Sequence, residues 1–172
     1  FMNLAGLKVI LPSTPYDMKG LLKAAIRDDN PVMSFESNRL MGLEGDVPDE
    51  DYIVPIGKAD IKREGSDITV VGIAWMVQEA LAAAETLDKE GVSVEVLDPR
   101  TLAPMDGETV RASVRKTGRL LVADEAGPTA GASAEIISLA TEDPETFKAM
   151  KAPARRVCAL DAPIPYLSLI HI

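Results

Sequence analysis

The sequence has a single cysteine, Cys158, and a single histidine, His171, among 172 residues. One cysteine excludes an internal disulfide and fits a reducing compartment, so a cytoplasmic location is expected. One histidine, next to the last residue, excludes a Ser-His-Asp or Cys-His catalytic set in the body of the chain. The same scarcity leaves no ligand cluster for zinc. Aromatic residues are only 4%, so aliphatic side chains must build the core. No apolar run is long enough to span a bilayer, and a signal peptide's basic start, apolar run and small-residue cleavage site are absent. No dense run of Lys and Arg occurs, the formal net charge is -9 and the pI is about 4.6. A nucleic-acid polyanion would be repelled by such a surface. The pairs Lys62-Arg63 and Arg155-Arg156 read as solvated charges. Neither a Gly-x-Gly-x-x-Gly turn nor a Walker loop is present, which excludes the usual nucleotide cradles.

What is there is globular. Hydrophobic residues make up 47%, charged residues 26%, and mean hydropathy is +0.07. Leu7–Leu11 is an apolar strand closed by Pro12. Thr14 is a helix N-cap, Pro15 suits the first helical position, and Asp17 sits where a capping box wants an acid. Met18, Leu21, Leu22, Ala25 and Ile26 recur at helical spacing, and a second strand runs from Pro31 to Glu36. Residues 39–56 lose periodicity among Gly, Pro and acidic residues and read as a linker.

Beyond it the alternation resumes. Gly57–Arg63 is an edge strand, Ile68–Ala74 a buried strand, and Met76 to Leu87 a helix ended by Gly91. Val92–Leu97 is a strand, Asp106 caps a helix carrying Val110 and Val114, and Leu120–Ala123 is a strand. After the Gly127–Gly131 turn come a helix over Ala132–Ala140 and a last strand over Val157–Leu160. Strands alternating with helices predict an α/β fold: a three-layer, doubly wound, mostly parallel sheet, preceded by a strand-helix-strand unit. Cys158 reads as buried filler and His171 as an accident of position. Asp98 and Arg100 are expected to form an ion pair ordering the turn after their strand. Asp124-Glu125, at a strand end, is the most site-like carboxylate pair, read as structural or as a subunit contact.

Several segments together resemble one family. Gly6–Asp17 with Lys19–Leu22, Ala25–Pro31, Tyr52–Ala59, Leu97–Asp106, Thr117–Leu121, Asp124–Ala126 and Ala134–Ile136 are similar to the beta subunits of thiamine-diphosphate-dependent pyruvate, branched-chain and acetoin dehydrogenases. Leu97–Asp106 resembles that family's Asp-Leu-Arg-Thr-Leu-x-Pro-x-Asp signature, with Pro99 where Leu is usual. The resemblance implies that residues 1–38 end a pyrimidine-binding domain, 39–56 link, and 57–166 form a transketolase-type C-terminal domain. It implies a complete enzyme that decarboxylates a 2-oxoacid, or cleaves acetoin, and passes the acyl group to lipoamide. Expected partners are an alpha subunit holding the cofactor's diphosphate and magnesium, a second beta subunit, and a lipoyl acyltransferase. The family's catalytic Glu and active-site His match no position here, so the chain is expected to hold no catalytic and no cofactor-binding residue and to be inactive alone. Phe1 reads as an internal position of a longer chain. The resemblance also implies a potassium site built by the Ala25 carbonyl, Asp28 and Asn30.

Departures are the Phe35–Arg39 segment and the tail 167–172, which looks foreign where relatives run into a final helix. A non-catalytic α/β interaction module, or another transketolase-superfamily enzyme such as a deoxyxylulose-phosphate synthase, are the competing expectations.

Overall fold

The computed structural model describes residues 1–160 and Ala162, so His171 and the tail 167–172 lie outside the described residues. Lys8–Ile10 forms β1, and Val32–Ser34 forms β2 parallel to it, Lys8 opposite Val32 and Ile10 opposite Ser34. A parallel pair needs a crossover, and α1, Pro15–Ile26, provides it. Thr14 caps α1 by accepting from the Asp17 amide at 3.1 Å, and Pro15 occupies the first turn, where its missing N–H costs nothing. Ile10, Leu21 and Val54 form the buried centre of this unit, with Tyr52 and Ile56 packed against it. The acidic linker is therefore docked at its C-terminal end. Ahead of that, Asn38–Leu40 makes one 3₁₀ turn.

The larger sheet contains β3 (Asp60–Arg63), β4 (Ile68–Gly72), β5 (Val94–Asp98), β7 (Leu120–Ala123) and β8 (Arg155–Val157). Their order is β3-β5-β4-β7-β8, with β3 antiparallel and the rest parallel. α2 (Met76–Asp88) covers one face through Val77, Ala80 and Ala84, against Val70, Val94 and Val96. α3 (Gly107–Thr117) and α4 (Ala132–Thr141) cover the other through Val110, Val114, Ile136 and Ala140, against Val71, Leu97 and Val122. Alternate residues of β4 and β5 thus feed opposite cores, as a period of two requires. Each fully buried Val or Leu contributes about 1.5–3 kcal/mol. The expected three-layer wound sheet is what forms.

Three elements differ from expectation. β6, Thr101–Ala103, falls in a stretch to which the sequence assigns no element. It pairs antiparallel with β1, Val9 opposite Ala103, and so completes the first sheet as β2-β1-β6. α5, Pro144–Ala149, is too short for periodicity to reveal, although Asp143 caps it through the Thr146 amide at 2.8 Å. The last strand sits two residues earlier than predicted. It leaves Cys158 half-buried just beyond β8, with Sγ 3.5 Å from Ser133 Oγ.

Candidate functional site

Pro15 at the start of α1 sets the helix so that Asp17, one turn in, faces inward. Asp17 is fully buried. Its carboxylate accepts from Thr14 Oγ1 at 2.6 Å, Lys62 Nζ at 2.6 Å and Arg100 Nη1 at 3.0 Å. Lys62 comes from β3 and Arg100 from the turn between β5 and β6, so one carboxylate ties three segments. Arg100 spends its remaining donors on backbone: Nε on the Lys58 carbonyl at 3.0 Å and Nη2 on that of Ala59 at 3.2 Å. Lys62 also reaches Asp60 at 2.7 Å. Asp98, at the end of β5, is fully buried and accepts from Ser13 Oγ and from the Arg100 amide at 2.8 Å.

The charges follow the geometry. Burial pushes the Asp17 carboxyl up, but bonds from Lys62, Thr14 and Arg100 outweigh it and hold it below the usual range. Burial likewise disfavours the Lys62 ammonium, yet Asp17 and Asp60 keep it above its ordinary value. Asp98 has no cation in contact; Lys62 lies 3.9 Å away. Burial therefore prevails over Ser13, and its carboxyl is pushed up to about 6.

This arrangement corrects two expectations. Asp98 and Arg100 do not form an ion pair. Asp98 bonds the amide two residues on, an Asx-type turn, and Arg100 adopts a left-handed backbone with φ 54°, while its guanidinium engages Asp17. Lys62, read as solvated, is 14% exposed at its side chain and belongs to the cluster. The capping-box reading of Asp17 saw only its nearest neighbour, since its two strong partners lie far away in sequence.

Asp124 and Glu125 take different roles. Asp124 is buried and shapes the loop before α4, accepting from the Ala126 amide at 3.0 Å and the Ser133 amide at 3.3 Å. Glu125 accepts from Ser37 Oγ at 3.3 Å and faces Arg39 at 3.9 Å, joining the larger sheet to the linker's start. Glu95, a further fully buried carboxylate and unforeseen because it lies mid-strand, accepts from Ser113 Oγ at 2.5 Å and pairs with Lys116.

Ala25, Asp28 and Asn30 lie at and just beyond the end of α1. The Asp28 amide donates to the Ala25 carbonyl at 3.3 Å. Asp28 Oδ1 accepts from the Asn30 amide at 2.9 Å and Asn30 Nδ2 at 3.1 Å, and Lys8 pairs with Oδ2. Lys8 first, then Asn30, lower the Asp28 carboxyl to about 2. Among the described residues, no group of three or more His, Cys, Asp and Glu side chains could hold a metal. No helix there is long and apolar enough to cross a membrane. A surface cleft of about 240 Å³ lies at the start of α1, between Pro12, Ser13, Met18, Glu36, Leu40 and Met41. That is below the roughly 300–1,000 Å³ of ligand pockets; a shallower hollow of about 460 Å³ lies between Arg111, Glu135, Leu139, Glu142, Asp143 and Pro144.

A wound parallel sheet clamped by buried ions to a strand-helix-strand unit defines a three-layer α/β domain. Residues 57–170 match the family model Transketolase, C-terminal domain, and the chain belongs to that family. It is 47% identical over 96% of its length to the acetoin:2,6-dichlorophenolindophenol oxidoreductase subunit beta of Cupriavidus necator, covering 48% of that protein. It is 45% identical to the 2-oxoisovalerate dehydrogenase subunit beta of Bacillus subtilis, over 96% of this chain and 51% of that protein. The pyruvate dehydrogenase E1 component subunit beta of the same organism is 45% identical over 94% of this chain and 49% of its own length. Among solved structures, a split gene transketolase, described as an inactive beta4 tetramer, superposes with TM-score 0.78 at 26% identity. That match covers 91% of this chain and 50% of the other. The chain spans about half the length of the curated relatives it matches.

Proposed function

We propose that this chain is the C-terminal part of a beta subunit of a thiamine-diphosphate-dependent 2-oxoacid or acetoin dehydrogenase, and that its work there is assembly. Residues 1–38 end the pyrimidine-binding domain, 39–56 link, and 57–166 form the transketolase-type domain. The observation that carries this reading is the Asp17–Arg100–Lys62 cluster. It joins the segment Gly6–Asp17 to the Leu97–Asp106 segment, two stretches that carry the sequence resemblance. A buried ion cluster between two sheets fixes their relative position, which is what a cofactor domain needs from its support. When bound, thiamine diphosphate supplies the carbanion chemistry, and the protein supplies orientation and electrostatics. The chain alone is inactive in this reading, because the reactive groups and the magnesium-bound diphosphate reside elsewhere in a cytoplasmic assembly. Its partners are an alpha subunit, a second beta subunit and a lipoyl acyltransferase.

Co-expression of the full-length gene product with an alpha subunit tests the proposal. A heterotetramer by light scattering, with activity that requires thiamine diphosphate and an oxoacid or acetoin, is expected. A stable lone monomer that ignores the alpha subunit would favour the interaction-module alternative.

The end of α1 carries a second reading. The Ala25 carbonyl, Asp28 and Asn30 are oxygen donors at a helix C-terminus, the setting a hard cation prefers, and we propose them as part of a potassium site. Lys8 already neutralises Asp28, so the ion would share that carboxylate. Thermal stability of the full-length protein should then rise saturably with potassium. Equal stability in potassium and tetramethylammonium would remove the site.

A further inference from the structure

Among the described residues β8 is the outer strand of the larger sheet, and Arg155, Arg156 and Val157 are all exposed. The cause is the reach of α2, which packs on β4 and β5 and barely touches β7, so it does not extend over β8. Strand alternation places Arg155 and Val157 on one face. Arg156 is on the other, where its guanidinium donates to the Pro128 carbonyl at 2.6 Å. Pairing with β7 satisfies one side of the β8 backbone; the other side presents a row of N–H and C=O groups, the usual template for an added strand. Val157 is 50% exposed and Leu160, just beyond, 85%.

The charge of this corner is opposite to that of the chain. Most Lys and Arg side chains face a carboxylate, but Lys148, Lys151, Arg155 and Arg156 make no ion pair among the described residues. From Lys148 to Arg156 there is no acidic residue, in a protein of net charge -9. From Lys148 to Ile172 the sequence has one acidic residue, Asp161, against the four cationic side chains named.

We propose that β8 docks an extended, acidic segment of a partner polypeptide, which adds to the sheet as a further strand. The open backbone edge selects a polypeptide over a nucleic acid, which the overall negative charge repels. Acidic side chains then face Arg155 and Arg156, and interspersed β-branched residues cover Val157. Pairing β8 with β8 of a second copy would set arginines against arginines, an unfavourable cross-strand match. This inference is independent of the dehydrogenase reading.

The test uses the 172-residue chain and a fluorescein-labelled, end-blocked octapeptide built of Glu-Glu-Val repeats, so that Glu can face both Arg155 and Arg156 while Val faces Val157, followed by anisotropy. A Kd on the order of tens of micromolar is expected, with amide exchange slowed at residues 155–157. Arg155→Glu/Arg156→Glu, at exposed positions and checked for folding by circular dichroism, should weaken binding at least about tenfold. A peptide of the same charge with proline in place of each valine, which cannot donate to the ladder at those positions, should bind comparably poorly. Three outcomes overturn the proposal. One is no binding at ~1 mM peptide, which leaves the arginines as guards against edge aggregation. Another is equal binding of the proline peptide, which reduces the effect to charge alone. The third is a charge-insensitive self-association of the chain that occupies β8.

Discussion

At the scale of single residues, two buried carboxylates of one cluster behave oppositely, and the difference is the company each keeps. Asp17 touches a lysine and an arginine and is held ionised. Its contribution to stability is present above the ordinary aspartate value of 3.8 and lost as pH falls through its lowered folded value. Asp98 touches a hydroxyl and an amide, and its carboxyl is raised from 3.8 to about 6. The neutral form is favoured in the fold, so its contribution is complete below 3.8 and lost as pH rises through 6. The cost above that pH is about 3 kcal/mol. Asp98→Asn should therefore flatten the decline of stability between pH 4 and 7, read as urea midpoints across that range; an unchanged slope would show that Asp98 does not titrate there. Arg100→Met removes one partner of a buried pair and leaves Asp17 with Lys62 as its one cation among the described residues, beside the Thr14 hydroxyl. It should cost about 3–5 kcal/mol, and the double variant with Asp17→Asn should cost less than the two singles together. Additive losses would mean that the pair is not coupled.

At the scale of elements, the linker is held by α1 more than by its own structure. The Tyr52 hydroxyl donates to the Tyr16 carbonyl at 2.9 Å, the two rings stack at 4.5 Å, and Asp51 pairs with Lys23 and Arg27. Gly20 makes this approach possible: a Cβ there would lie 2.9 Å from the Tyr52 ring and from the Val54 amide nitrogen. Gly20→Ala should thus cost about 1–3 kcal/mol, despite the helix propensity alanine gains. Faster amide exchange at residues 52–56 is the expected signature. A neutral or stabilising result would show that the linker moves aside freely.

At the scale of the whole molecule, β6 is the decisive element. It follows β5 of the larger sheet without a helix between them, yet it hydrogen-bonds to β1 of the smaller one. With the Arg100 turn just before it, this strand makes the two sheets depend on each other. A chain so connected should unfold in one transition. Calorimetry with agreement between the calorimetric and van't Hoff enthalpies checks this; two resolved transitions would show that the sheets are separable. The clamp sits where the two sheets meet.

The sequence by itself determined what depends on neighbours in the chain. Val70 and Val71 alternate between cores, α2 and α3 repeat their apolar residues every three or four positions, and Thr14 and Asp106 cap helices three residues on. Such signals are local because backbone periodicity and capping act over a few residues. The family resemblance was legible in the same way, through ordered segments. Only the tertiary structure decided the pairing of Arg100 with Asp17, of β6 with β1, and of Lys62 with both sheets. Those partners are many residues apart, and which charge meets which is set by how the sheets close against each other once water is excluded. Asp98 and Arg100 read as a pair because only Pro99 separates them in sequence; a left-handed backbone at Arg100 sends the guanidinium the other way.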